Sequence, residues 1–130
     1  MKKLVIDLDG TLTIDAPGPY PDKEPNAAVV EKLRQYQRLG FQIVIYTARN
    51  MRTYEGNVGQ INVHTLPVIL DWLAQHRIPF DEVIVGKPWC GTEGFYVDDK
   101  ALRPSEFAAL SPAEVKALLD TEATAHSGAK

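Results

Sequence analysis

Apolar residues come along this chain in short runs, set apart by polar or proline-rich stretches. Residues 3–8 and FQIVIYT (41–47) read as buried strands, and EVIVG (82–86) and GFYVDD (94–99) as a third and a fourth strand. Between the first two, Val29, Val30, Leu33 and Tyr36 recur at helical spacing. They predict a helix capped by Asn26 that runs to about Leu39 and stops at Gly40. Thr65 and Pro67 open a second helix, carrying Val68, Ile69, Trp72 and Leu73, that ends before Pro79. Ser111-Pro112-Ala113-Glu114 is a capping box, so a last helix starts there. The proline-rich segment from Gly10 to Pro25 excludes regular helix or central strand, and the polar stretch from Asn50 to His64 reads as a long loop. Strands alternating with helices predict an α/β fold: a three-layer parallel sheet with helices on both faces.

At 130 residues the chain suits one domain, expected over 1–120 with a flexible tail over 121–130. The balance of 45% hydrophobic and 24% charged residues is that of a soluble protein. A net charge of −3 without a basic run argues against nucleic acid as the partner. No apolar run is long enough for a membrane span, and Asp7 and Asp9 interrupt the only stretch resembling a signal peptide. One cysteine, Cys90, excludes an internal disulfide. The expected location is the cytoplasm.

The chemistry gathers where the predicted strands end. In a parallel sheet, ligands bind outside the carboxyl ends of the strands. Here those ends carry Asp7 and Asp9, Thr47, Gly86-Lys87, and Asp98 and Asp99. Period two sends Asp7 and Asp9 to the same side of the first strand, with Leu8 opposite. Two carboxylates about 5 Å apart repel by roughly 3 kcal/mol at an effective dielectric near 20, about two pKa units. A shared proton or a cation must relieve that. Four carboxylates make an oxygen-rich pocket suited to Mg²⁺, while Lys87 and the Thr47 hydroxyl suit the oxygens of a phosphoryl group. Asp7 is then the candidate nucleophile and Asp9 the acid/base. Gly10 permits a sharp turn beside the phosphate, and Thr11 holds that turn.

DLDGTLT (7–13), Thr47 in YTAR, Lys87 in GKP and VDDK (97–100) together resemble the four motifs of the haloacid dehalogenase superfamily of phosphohydrolases. The resemblance runs from residue 3 to about 107. It implies a Rossmann-like sheet and a Mg²⁺-dependent phosphatase acting through an aspartyl-phosphate on Asp7. It also implies metal ligation by Asp7, the backbone carbonyl of Asp9, and Asp98 or Asp99, with Asp98 favoured. Neither the first gap nor the second has room for a cap domain, so the chain resembles the capless members. TARNMRTYEGNVGQIN and GKPWCG are further similar to small phosphatases of bacterial capsular or surface-polysaccharide biosynthesis. That implies a sugar phosphate or related small metabolite as substrate.

Beyond the motifs, Ala48, Arg49 and Asn50 follow Thr47 and are candidates for substrate or phosphate contact, as are Arg52 and Tyr54. Trp89 is placed to stack on a sugar face or to pack under its loop. Cys90 has no partner histidine to make it a nucleophile, and His64, His76 and His126 lack metal-ligand spacing. An exposed, capless site also predicts a homo-oligomer, a dimer or tetramer, in which a neighbour serves as lid. A receiver domain would need an aspartate at the end of FQIVIYT, where Thr47 stands. A phosphotransferase or mutase of the same superfamily, or a catalytically silent binding module, remain the competing readings.

Overall fold

The computed structural model describes residues 2–127. Their contacts divide them into two compact units, Met1–Trp89 and Cys90–Lys130. The first holds three parallel strands, β1 (Lys3–Ile6), β2 (Gln42–Thr47) and β3 (Glu82–Val85), in the order β1-β2-β3. Leu4 faces Ile43 and Ile6 faces Ile45 across the first ladder, and Ile45 faces Val83 across the second. Asp81 fixes the second register from outside it. Its amide donates to the Ile43 carbonyl at 2.8 Å, and its carboxylate accepts from the Ile43 amide at 2.7 Å.

The β1–β2 crossover is α1 (Ala27–Arg38), and the β2–β3 crossover is α2 (Val58–His64) followed by α3 (Leu66–Gln75). Val29, Val30, Leu33 and Tyr36 of α1 are buried as their spacing predicts, and so are Ile69, Trp72 and Leu73 of α3. α1 ends one residue short of expectation, with Gly40 at φ 92° just beyond it. Asn26 precedes α1 but makes no side-chain cap bond. Helix α2 falls inside the stretch read as loop. It buries only Ile61, too little for a periodic signal, and is started by the Asn57 side chain accepting from the Gln60 amide at 3.1 Å.

Both crossovers step the same way across the sheet. Right-handed connections that do so lie on one face. That face, with Ile6, Ile43, Ile45 and Thr47, is buried. On the other face Val5 is 60% exposed and Ile84 45%, and with Lys3, Val44, Tyr46 and Glu82 they line a shallow open concavity. The parallel α/β fold is therefore present, Rossmann-like and without a cap, with its helical layer in the first unit on one side only.

The second unit carries α4 (Pro104–Ala109) and α5 (Pro112–Ser127). The predicted capping box starts α5: the Glu114 amide donates to Ser111 Oγ at 3.2 Å and the Ser111 amide to Glu114 Oε1 at 2.9 Å. α5 continues through residues read as a tail, helped by a Lys116–Asp120 pair at 2.7 Å one turn apart. Residues 128–130 of that expected tail lie outside the described residues. The fourth strand expected over 94–99 is not formed. Phe95, Tyr96 and Val97 are 80%, 52% and 87% exposed. A strand needs a partner ladder, and alternation alone does not supply one. No helix among the described residues is long and apolar enough to cross a membrane.

The proline-rich segment holds one 3₁₀ turn, Tyr20–Asp22, and is closed at its ends by an isolated antiparallel bridge between Thr13 and Pro25. It is tied to α3 by the Trp72 indole, which donates to the Lys23 carbonyl at 2.8 Å from a buried ring. Trp72→Phe keeps the packing and deletes that bond. It should cost about 1–2 kcal/mol in urea unfolding and speed proteolysis within 14–25.

Candidate active site

After Ile6 the chain folds into a tight turn. The Leu8 carbonyl accepts from the amides of Thr11, Leu12 and Thr13 at 3.2, 2.9 and 3.1 Å. Gly10 sits at φ 78°, a left-handed conformation open to glycine, and its amide donates to Thr13 Oγ1 at 3.1 Å. Leu8 and Leu12 are completely buried and hold the turn down. Asp7 and Asp9 flank Leu8 with about a third of each side chain exposed, the alternation the sequence predicts.

Each carboxylate has its own cation. Lys87, which follows β3, places Nζ 3.6 Å from Asp7 Oδ1, and Thr11 Oγ1 donates to Asp7 Oδ2 at 3.3 Å. Arg49 grips Asp9 with two nitrogens: Nε donates to Oδ2 at 3.0 Å and Nη2 to Oδ1 at 2.7 Å. Burial pushes the Asp7 carboxyl above the ordinary carboxylate range. Lys87, the Leu8 amide and Thr11 pull it back, and the neighbouring charge of Asp9 adds to the rise.

β2 and β3 deliver these cations from their carboxyl ends. Thr47 is buried, its Oγ1 accepts from the Arg49 amide at 3.1 Å, and its carbonyl accepts from the Lys87 amide at 3.1 Å. The Thr47 hydroxyl proton is left to donate elsewhere. Arg49, expected to touch substrate, has only 1% of its side chain exposed. The Tyr20 ring covers it, with the guanidinium carbon 4.0 Å from the ring centroid. Its Nη1 is buried with no acceptor among the described residues. Arg49 therefore orients Asp9. The Asp9–Arg49 pair and the Tyr20 cover were not legible in the sequence, because 40 residues separate the pair and no local pattern links them.

Asn50 adopts φ 61° and spends its side chain internally. Nδ2 donates to Thr53 Oγ1 at 3.1 Å, and Oδ1 accepts from Thr65 Oγ1 at 2.7 Å. Its role in the structure is to shape the loop. The Ala48 carbonyl accepts from the Met51 amide at 3.0 Å in the same turn. Trp89 is 45% exposed beyond Lys87, with the Arg52 guanidinium carbon 5.8 Å from its ring centroid. Tyr54 stacks on His64 instead, centroids 5.7 Å apart. His76 lies against Trp72, Cys90 is half-buried, and the side chain of His126 lies outside the described residues.

Asp98 and Asp99 belong to the second unit and are exposed. Hydrogen bonds from the Lys100 amide, at 2.9 Å to Asp98 Oδ1, and from Asp99 hold the Asp98 carboxyl below its ordinary range. Among the described residues no three His, Cys, Asp or Glu side chains gather into a metal cage. Two oxygens of the first unit nonetheless suit a hard cation. The Asp7 carboxylate carries a burial cost that a cation would relieve. The Asp9 carbonyl accepts no hydrogen bond among the described residues.

The haloacid dehalogenase-like hydrolase family model matches residues 4–71, the segment that carries Asp7, Asp9, Thr47 and Arg49. A crystal structure of a protein from Vibrio cholerae is 59% identical and superposes with a TM-score of 0.92, covering 94% of this chain and 99% of that one. Two chains of the Pnkp1/Rnl/Hen1 RNA repair complex are 21% identical, with TM-scores of 0.48 and 0.49. They cover 71% and 84% of this chain but only 28% and 34% of their own lengths. No curated protein matches the chain.

Two outcomes follow from this electrostatic arrangement. A carboxyl whose pKa is raised on folding favours the folded state while protonated and loses that advantage as pH rises through its folded pKa. Asp7→Asn should therefore melt above wild type at pH 7, and the gap should close as the pH is lowered through the carboxylate range. Arg49→Ala removes two charge-assisted bonds and the group beneath Tyr20, and should cost about 1–3 kcal/mol in chemical denaturation.

Proposed function

The chain belongs to the haloacid dehalogenase-like hydrolases, and on that footing we propose that it is a Mg²⁺-dependent phosphatase of small phosphate monoesters, with Asp7 as nucleophile. The observation that carries this reading is the pairing at the end of β1. A half-buried carboxylate with a raised pKa stands beside a lysine at 3.6 Å and next to a second carboxylate fixed by an arginine fork.

The two aspartates divide the work. Asp7, turned by the Thr11 hydroxyl, attacks phosphorus with a carboxylate oxygen as the ester P–O bond breaks. The electron pair of that bond leaves on the alcohol oxygen, which takes a proton from Asp9. Water then attacks the aspartyl-phosphate. Asp9 removes a proton from it, the Asp7–phosphorus bond breaks, and inorganic phosphate departs. Arg49 occupies one lone pair on each Asp9 oxygen, so the travelling proton sits on another and the carboxyl plane does not swing between the half-reactions. Lys87 and the Thr47 hydroxyl bind non-bridging phosphoryl oxygens, as charge and as donor. The Asp7 carboxylate and the Asp9 carbonyl would hold Mg²⁺, which would supply the positive charge that lets an anionic phosphate approach a carboxylate.

The substrate class follows from what stands around the phosphate position. With no cap domain, the non-phosphate part meets loop residues only. Exposed Trp89, with Arg52 over it, offers an apolar plane beside a cation two residues from Lys87, which suits the face of a sugar. The acidic balance of the chain disfavours a polynucleotide. A sugar phosphate or a related metabolite, of the kind used in surface-polysaccharide biosynthesis, is the favoured substrate.

Phosphate release from a panel of monoesters, with and without Mg²⁺, tests this. Wild type should require the metal and rank sugar phosphates first, and Asp7→Asn should be inactive. Asp9→Asn should lower kcat about 10²–10⁴-fold on alkyl esters and far less on p-nitrophenyl phosphate, whose leaving group needs no proton. Equal loss on both ester types would remove Asp9 from the acid role.

A further inference from the structure

Arg49 is an enclosed charge, and its enclosure is uneven. One edge of the guanidinium is taken by Asp9, through Nε at 3.0 Å and Nη2 at 2.7 Å. One face lies over the Tyr20 ring, 4.0 Å from the centroid. Nη1 is buried and has no acceptor among the described residues. With 1% of the side chain exposed, bulk water does not stand in for that acceptor. A buried cation short of acceptors depends on whatever negative charge adjoins it, and the face of an aromatic ring supplies one. The fork and the ring restrain different motions. Two parallel bonds to Asp9 fix the guanidinium within its own plane, and the ring fixes the tilt of that plane.

The segment that carries Tyr20 is pinned along its length. The Ile14 amide donates to the Glu24 carbonyl and the Asn26 amide to the Leu12 carbonyl, both at 2.8 Å, on either side of the Thr13–Pro25 bridge. The Asp22 and Lys23 amides close the 3₁₀ turn on the carbonyls of Pro19 and Tyr20, at 3.0 and 3.2 Å. Pro19 and Pro21 fix φ on both sides of the tyrosine, and Trp72 holds Lys23 from α3. Yet residues 14–22 are all exposed, so this order adds nothing to the core. What it secures is a ring over a cation.

We infer that Tyr20 is a positioning residue for protonation of the leaving group: its ring holds Arg49 against Asp9, and through Arg49 it fixes the orientation of the Asp9 carboxyl. The inference rests on the phosphatase reading for what Asp9 does, and on geometry alone for the coupling of ring to fork. Tyr20 then matters only where a proton passes through Asp9. Esters with a poor leaving group depend on the ring, and activated esters do not.

Two readouts separate this role from plain packing. The first is kcat/KM on an alkyl phosphate and on p-nitrophenyl phosphate, which reports the steps up to the aspartyl-phosphate and leaves out attack by water. Tyr20→Ala should lower it about 3- to 30-fold on the alkyl ester and less than about twofold on the aryl ester. Tyr20→Phe keeps the ring and should keep both values. Tyr20→Leu keeps apolar bulk without a π-face; it should follow Tyr20→Ala, and it replaces that variant if the alanine chain does not fold. Equal loss on the two esters, or no loss on the alkyl one, overturns the inference. The second readout needs no turnover. The Arg49 Nε–H signal, identified by its absence from Arg49→Lys, should persist in NMR spectra of wild type and Tyr20→Phe at a pH where exposed arginines have exchanged. It should be lost in Tyr20→Ala and Tyr20→Leu, and a signal unchanged in both overturns the inference. A wild type inert on every ester, with an Nε–H signal that follows the ring, keeps the hold of Tyr20 on the fork and removes the phosphatase reading. An active wild type whose signal and ester split ignore the ring does the reverse.

Discussion

Two negative charges at the end of one strand are the constraint to which the rest of the first unit answers. Asp7 and Asp9 project from one turn, and burial has already made ionised Asp7 costly. The strands that follow each return a cation to this point: Arg49 from the end of β2 and Lys87 from the end of β3. The two are linked through Thr47, whose hydroxyl meets one and whose carbonyl meets the other. Parallel pairing makes this possible, because it brings every carboxyl end to the same side. The same ends in an antiparallel sheet would point to opposite rims.

The cations are not interchangeable. Arg49 is buried under Tyr20 and commits two nitrogens to Asp9, so it acts as a clamp. Lys87 stands farther from its carboxylate, on a flexible stem. In the proposed reaction, a planar fork suits an aspartate that holds its orientation while a proton comes and goes, and a compact ammonium suits an aspartate approached by an anion.

Much of this was legible in the sequence, and for identifiable reasons. The strands β1, β2 and β3 are apolar runs with turn residues at their ends, and the buried face of α1 is a clean helical stripe of Val29, Val30, Leu33 and Tyr36. The place of Asp7, Asp9, Thr47 and Lys87 followed from strand ends alone. What escaped depends on contacts between distant residues. Helix α2 buries one side chain and so leaves no stripe. Arg49 read as a contact for substrate, and only β2 brings it to Asp9. The segment 94–99 has the alternation of a strand, but a strand also needs an edge to pair with, which no pattern within six residues can specify. The one-sided helical layer has the same origin, since only a strand on the far side of β1 would send a crossover over the other face.

The chain has two tryptophans, and the fold has separated their surroundings. Trp72 is 2% exposed and bonded to the Lys23 carbonyl, whereas Trp89 is 45% exposed beside Lys87. Their intrinsic fluorescence is therefore divided by colour: the blue edge of the emission belongs to the interior of the first unit and the red edge to the approach to the site. A ligand stacking on Trp89 would change the red edge alone, and loosening of the proline-rich segment the blue. The molecule thus carries two optical reporters, one for a buried and one for an exposed surrounding, with no label added.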